Sequence, residues 1–470
     1  MTSPETSTET SPDGLTRARE LMVEAGVHPS AINVFAHSYR ALAGGDTGLF
    51  DERDLEPVPE LTRLDDLTVD DEQARDALAV TAVVRLNGGL GTSMGMQQAK
   101  SLLPVRNSST FLDLIVDQVR ALRQQYGVRL PVLFMNSFAT SADTMAALAT
   151  HPDLAVDGLP LEFRQNSEPK LVATDLTPVE WPADPRLQWC PPGHGDLYPA
   201  LDASGVLDAL LAAGYRYLFV SNADNLGARP DPRLAGWFAA TGSPFGAEFC
   251  RRTEADRKGG HLARRRADGQ LVLRESAQTR PEDQDAFGDI ERHRFFNTNN
   301  LWLDLPALRQ RLDEGEGVLG LPIIRNVKTV DPTDASSPQV IQIETAMGAA
   351  IGVFEGATAV EVPRSRFLPV KTTSDLLVVR SDAYVLDDDA ALHLDHRRAA
   401  APLVGLSGSY KLVAEFERRF PVGPPSLVAC DRLTVQGDWT FGADVRVEGT
   451  VTVSEDGSPG RIDDGTVLRG

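Results

Sequence analysis

Three short apolar runs constrain the fold most, because each closes on polar residues and alternates with helical sequence. AVTAVVRL (79–86) runs into Asn87-Gly88-Gly89. LPVLFMNS (130–137) follows a stretch with Phe111, Leu112, Ile115, Val119 and Leu122 at helical spacing. YRYLFVSNADN (215–225) follows a second helical stretch, Gly205 to Ala213. Short buried strands alternating with helices predict a doubly wound α/β sheet. Ligands of such sheets bind outside the carboxyl ends of the strands. The ends to watch are therefore Asn87-Gly88-Gly89, Asn136-Ser137 and Asn222-Ala223-Asp224.

The remaining sequence divides around this core. Residues 1–14 are rich in Ser, Thr, Glu and Pro and predict a disordered tail. Residues 15–78 begin helically, with Leu21, Met22, Ala25 and Val27, and then become acidic connecting sequence, forming an N-terminal helical extension. The main domain is expected over 79–400, with a boundary in RRAAAPLVG. Over 401–470 short alternating segments carry Leu433, Val435, Trp439, Phe441, Val445, Val447, Val451 and Val453, broken by Gly and Asp every few residues. They predict a small β-helix of imperfect hexapeptide-like turns, with a β-meander as the alternative. A length of 470 residues suits two to three domains.

Asp plus Glu is 67 against 46 for Lys plus Arg, a formal net charge of −21. That surface disfavours nucleic acid and anionic membrane as partners. It allows a phosphorylated substrate only if basic groups gather locally. Cys190, Cys250 and Cys430 are scattered without metal-ligand spacing, which argues against structural zinc and for a reducing cytoplasm. No run of about 18 apolar residues predicts a membrane span, and the N-terminus lacks the pattern of a secretory signal.

The densest chemistry lies in VVRLNGGLGTSMGMQQAKSLLPV (83–105). Glycines after a strand let a ligand approach the backbone and turn N–H groups toward phosphate. Ala99 before Lys100 excludes a Walker A loop. Gly89, Gly91 and Gly95 have the wrong spacing for a dinucleotide fingerprint.

The whole string LNGGLGTSMG, with its downstream Lys-Ser, resembles the signature loop of the eukaryotic-type UTP–glucose-1-phosphate uridylyltransferases. MNSF (135–138), PPGHGD (191–196), SNADNLGA (221–228), KGG (258–260), FNTNNLW (296–302), ETAMGAAI (344–351) and RSRFLPVKTTSDLL (364–377) follow in that family's order. The resemblance covers about Ala79 to Tyr384, and the C-terminal turns match in kind. It implies a Rossmann-like nucleotidyltransferase (glycosyltransferase-A-like) mixed sheet with a C-terminal left-handed β-helix. It implies conversion of UTP and glucose 1-phosphate into UDP-glucose and pyrophosphate, with Mg2+ as cofactor. In that reaction an ionised sugar-phosphate oxygen attacks the α-phosphorus in line. No general base is needed, and positioning plus cations does most of the work.

The resemblance assigns roles to individual residues. Lys100 and Lys371 would contact phosphate, with Lys258 a weaker third cation. Asp224 would hold the metal, as an oxygen ligand suited to a hard cation. The backbone from Leu86 through Asn87, Gly88 and Gly89, together with Gln165 and Gly193, would receive the uridine, Gln165 offering both donor and acceptor. His194, Asn222, Ala223, Gly260, Glu275 and Asn299 would face the sugar and its phosphate, with His194 a donor rather than a base.

Three departures from the family pattern stand out. Gln97 replaces a Lys, Ala99 replaces a Pro, and Ala223 replaces a Ser while leaving its backbone N–H as a donor. A UDP-N-acetylhexosamine or broad-specificity UDP-sugar pyrophosphorylase is the nearest alternative enzyme, although its loop is closer to LAGGxGTRLG. A non-catalytic UDP-sugar sensor and a pure assembly module are alternatives of other classes. The C-terminal segment is the expected surface for a homo-oligomer. The charge argument predicts a local positive focus near Lys100 and Lys371 within a negative molecule.

Overall fold

A computed structural model describes residues 12–106, 108–454 and 459–470. Its centre is a mixed sheet. We number the strands of its main path in chain order: β1 Thr62–Arg63, β2 Thr81–Asn87, β3 Val132–Asn136, β4 Glu162–Arg164, β5 Tyr217–Asn222, β6 Phe245–Arg251, β7 Phe295–Asp304 and β8 Thr358–Glu361. They lie side by side as β1-β8-β6-β7-β5-β2-β3-β4. All neighbours run parallel except β7, which is antiparallel to both β5 and β6.

The sheet forms where the apolar runs predicted strands, with shifted edges. β2 starts at Thr81 because Asp71–Ala79 is helical, and the others lose one to three residues at each flank. Strands buried on both faces need near-continuous apolar sequence, and Thr81 to Val84 are fully buried. The predicted helix spans Phe111–Tyr126, opened by a reciprocal cap between Thr110 and Asp113. It presses Phe111, Leu112, Ile115, Val119 and Leu122 onto the core.

The N-terminal extension is less separate than expected. Helices Pro12–Glu24 and Pro29–Ala43 pack Met22, Ile32, Phe35 and Tyr39 against Ile341 and Ile343 of strand Gln339–Thr345. Farther on, Leu55–Pro57 pairs with His261–Arg265, and β1 pairs with β8, so this stretch supplies strands to the main sheet. Pro12–Gly14, expected in the tail, open the first helix. Residues 1–11 of that expected tail lie outside the described residues.

Beyond 400, strands Leu403–Leu406, Ser426–Val435, Arg446–Val453 and Val467–Arg469 pair in parallel order, and Trp439–Phe441 pairs in parallel with Gly460–Ile462. A meander would pair its strands antiparallel, so successive coils stack here instead. Leu427, Leu433 and Phe441 of these coils join the same buried cluster as Leu376 and Leu377 of helix Thr373–Arg380.

Candidate active site

The carboxyl ends of β2, β3, β4 and β5 open on one cavity of about 390 Å³. Leu86, Asn87, Gly88, Gly89, Lys100, Gln165, Gly193, His194, Asn222, Ala223 and Asp224 all line it. These are the residues the sequence placed against uridine, phosphate and metal, with Lys371 missing from the lining.

The signature loop is locked to its surroundings by side chains from neighbouring strand ends. Asn87 Nδ2 donates to Asn136 Oδ1 (2.8 Å), and Asn136 Nδ2 donates to Glu162 Oε2 (2.7 Å). Ser137 Oγ donates to the Gly88 carbonyl (2.9 Å). The Gln165 N–H donates to the Asn136 carbonyl (2.9 Å), which brings its amide against the loop. A Cβ on Gly88 would sit 2.4 Å from Gln165 Oε1, so a larger residue there must push the Gln165 amide aside.

Lys100 and Asp224 meet directly. Lys100 Nζ is 2.6 Å from Asp224 Oδ2, with side-chain exposures of 16% and 20%. The Lys100 N–H donates to the Gly89 carbonyl (3.0 Å), tying the lysine back to the loop. Lys371 is exposed and reaches this centre through its backbone neighbour. The Val370 N–H donates to the Asp224 carbonyl (3.2 Å). That bond keeps the Lys371 Cα within about 8 Å of Asp224. Ala223 corrects one expectation: its N–H is already given to the Leu86 carbonyl (3.0 Å) and is not free for a ligand.

His194 and its flanking glycines form the facing wall. Gly193 has φ +80°, and a Cβ there would meet the Thr345 carbonyl oxygen at 2.7 Å. The Met347 N–H donates to His194 Nδ1 (3.0 Å), which requires that nitrogen to be unprotonated and leaves Nε2–H as the donor. The residue is exposed at the cavity edge, yet the protein atoms packed around its ring push its pKa down to about 4. Asp196 is fully enclosed beside it. Burial pushes its carboxyl up to about 7, against the pull of Asn166, whose N–H and Nδ2 donate to it.

The remaining sugar-side residues gather around a second centre. Register between β6 and β7 slips where Glu248 faces Asn300 and Phe249 faces Asn297, leaving Thr298 and Asn299 as a bulge. Asn299 takes φ +59° there, held by its N–H to Asn297 Oδ1 (3.0 Å) and by Asn297 Nδ2 to its own Oδ1 (2.9 Å). The Asn297 N–H donates to the Gly260 carbonyl (3.0 Å). Burial raises the Glu275 carboxyl, while a hydrogen bond from Asn297 and the charge of Lys371 lower it. Gly260, Glu275 and Asn299 are thus joined through Asn297, and Lys371 lies within electrostatic reach. Lys258 sits on an exposed turn and joins neither centre.

Sequence reasoning missed Asn297, which lies in the same motif as Asn299 and on the same strand edge. It also missed Thr345, which packs against Gly193 and Gly195 across the fold, and Ser101, Met135 and Pro191 in the cavity lining. Only ETAMGAAI pointed toward Thr345, and it pointed to no residue in particular. The cavity offers one carboxylate, Asp224, for a cation. A hard divalent cation that keeps waters and takes substrate phosphates as ligands fits a single carboxylate. Among the described residues, the one cluster of three metal-ligating side chains is Asp387, Asp389 and His393, outside the cavity lining.

Comparison with known proteins gives the same picture over nearly the whole chain. The family described as UTP–glucose-1-phosphate uridylyltransferase matches residues 32–448. The chain is 42% identical over 417 residues to a UTP–glucose-1-phosphate uridylyltransferase of Solanum tuberosum, covering 88% of this chain and 85% of that one. It is 43% identical over 395 residues to the Saccharomyces cerevisiae protein of the same name, covering 83% and 77%. A mutant UDP-glucose pyrophosphorylase of Leishmania major, solved in complex with UDP-glucose, superposes with a TM-score of 0.91 at 44% identity, covering 97% of this chain and 98% of that one.

Proposed function

The chain belongs to the UTP–glucose-1-phosphate uridylyltransferase family, and we propose that it converts UTP and glucose 1-phosphate reversibly into UDP-glucose and pyrophosphate. It is a nucleotidyltransferase. One observation carries the reading: the signature loop, Gln165, the Gly193-His194 turn and the Lys100–Asp224 pair line a single cavity. The alternatives of another sugar or of a silent sensor find no comparable support.

The sugar-phosphate oxygen forms a bond to the α-phosphorus, and the bond from that phosphorus to the bridging oxygen breaks, releasing pyrophosphate. The uracil lies against the Leu86–Gly89 backbone and Gln165, whose amide complements an imide edge. Lys100 and Lys371 take phosphate charge. Binding of the triphosphate draws the Lys100 ammonium off Asp224 and frees that carboxylate. A divalent cation, which we propose to be Mg2+, would be held by Asp224 and would supply Lewis-acid stabilisation of phosphate oxygens. His194 donates through Nε2 to the sugar phosphate and stays neutral. Glu275, Asn299 and the Gly260 turn receive glucose hydroxyls, beside Asn222 and Ala223.

The parallel coils of 401–470 support a left-handed β-helix as the closing domain. Exposed Leu403, Leu412 and Val422 in that region support it as a surface for self-association. Three buried free cysteines support a reducing, cytoplasmic setting. Among the described residues no helix is long and apolar enough to cross a membrane.

Pyrophosphate release measured across four nucleoside triphosphates and several sugar 1-phosphates tests the reading. UTP with glucose 1-phosphate is expected to exceed every other pair. Equal or better turnover with N-acetylglucosamine 1-phosphate would replace it with the alternative enzyme, and tight UDP-glucose binding without turnover would replace it with the sensor.

A further inference from the structure

Arg85 lies in β2, immediately before the signature loop, and its side chain is completely buried. Nη1 donates to Ser221 Oγ (2.5 Å), its register partner on β5. Nε and Nη2 find no partner among the described residues. Among the described residues no carboxylate pairs with it. The nearby buried carboxylate, Glu248, is already taken by Arg366, with bonds of 2.7 and 2.8 Å, and also accepts from Asn300 and Trp302. Lys100 is matched by Asp224. Burial and the repulsion of Arg366 push the Arg85 pKa down to about 9, which leaves the guanidinium charged at neutral pH.

An unpaired buried charge destabilises a fold, so stability is not what Arg85 contributes. Its location indicates another use. Strand spacing of about 3.3 Å per residue puts its Cα within about 7 Å of that of Asn87, and its partner Ser221 adjoins Asn222; both of these residues line the cavity. The charge therefore sits behind the floor on which polyanions are received, at a depth where solvent screens it poorly. Burial pushes Glu168 toward its neutral form, and Asp196, raised to about 7, carries only part of a charge at neutral pH, so the two offset Arg85 only in part.

We infer that Arg85 is a positioning residue for the transfer reaction: its uncompensated buried charge attracts phosphate into the cleft in proportion to the ligand's own charge. The inference rests on the reading of this cavity as the uridylyl-transfer site. It adds Arg85, behind the cavity lining, to the positive focus expected near Lys100 and Lys371, where Asp224 already pairs with Lys100.

Calorimetric binding of uridine, UMP, UDP, UTP, inorganic phosphate and pyrophosphate to the full chain tests it, with wild type compared to Arg85→Met and Arg85→Lys. Arg85→Met is expected to weaken binding on the order of threefold per added phosphate group. Uridine would then move by less than about twofold and UTP by about thirtyfold, with Arg85→Lys restoring most of the loss. A loss equal across the series would reduce Arg85 to a structural part and overturn the inference, as would no loss at all. Should Arg85→Met fail to fold by thermal unfolding, Arg85→Gln carries the same comparison. Pyrophosphate has no base, so it separates the two readings. A wild type that binds pyrophosphate but no uridine compound defeats the uridylyl reading, while a charge-graded loss from phosphate to pyrophosphate still upholds Arg85.

Discussion

On the side of the cleft where Gln165 meets the loop, the wall is backbone. Gly88 lies under Gln165, Gly193 lies under Thr345, and the Asn87–Asn136–Glu162 chain of buried hydrogen bonds fixes the strand ends. On the side of Asn299 the wall is side chains hung on a bulge, with Asn297 as their shared support. Backbone walls are fixed by the fold and tolerate no added Cβ, whereas a bulge presents replaceable groups. The difference teaches where selectivity is stored. On the proposed reading, base recognition is built into the sheet, and sugar recognition depends on a few amides and one carboxylate.

Lys100 lines the cavity, pairs with Asp224 and is tied back to the loop, so it should show the largest effect. Lys100→Ala is expected to lower kcat/KM by at least about 2 kcal/mol, the scale of a lost charged contact, for both substrates together. Near-wild-type kinetics would remove Lys100 from the mechanism. Gly88→Ala attacks the backbone wall alone. Its new Cβ must displace the Gln165 amide, and the KM for UTP should rise by about tenfold, roughly 1.4 kcal/mol, with that for glucose 1-phosphate little changed. If both constants rise together, the two walls are one unit and the comparison fails.

Asn297→Ala probes the opposite wall. Losing Asn297 frees Asn299 from its left-handed turn and removes a donor from Glu275. The KM for glucose 1-phosphate should rise by about fivefold, close to the worth of one neutral hydrogen bond, while UTP binding holds. A larger effect on UTP than on the sugar phosphate would reverse the assignment of the walls.

The two walls also differ in how legible they were. The backbone wall was readable because its requirements are local: β-branched runs ending in Gly and Asn, and PPGHGD with two glycines that leave room for Thr345. Resemblance then supplied Gln165, which no local pattern would have distinguished. The bulge was not readable, because a register slip between β6 and β7 depends on pairing partners about 50 residues apart. Asn299 was named while Asn297, which orients it, was passed over. Arg85 was hidden for another reason. An arginine in a strand reads as an edge charge, and only tertiary packing shows that it is buried without a counter-ion. The coupling of residues 55–63 to the main sheet was missed because two- and three-residue strands carry too little pattern to be seen.

The smallest effect should come from the turn that closes the backbone wall, where two opposed titrations sit side by side. The His194 pKa is lowered to about 4, so the unfolded chain binds the extra proton and stability is lost as pH falls from about 6.5 toward 4. Asp196 is raised to about 7, so the folded chain holds the extra proton and stability is lost as pH rises from about 4 toward 7. The windows overlap and the signs oppose, so the pair should contribute little net slope in the wild type. Removing one member exposes the other. Relative to wild type, His194→Leu should lose stability as pH rises through that window, and Asp196→Asn should gain it. Each difference should be on the order of 1 kcal/mol, because water at the cavity edge screens the imidazole. Denaturant titrations at pH 4.5 and 7 measure these slopes. Parallel slopes in both variants would show that the wall around Gly193 is not held by this balance.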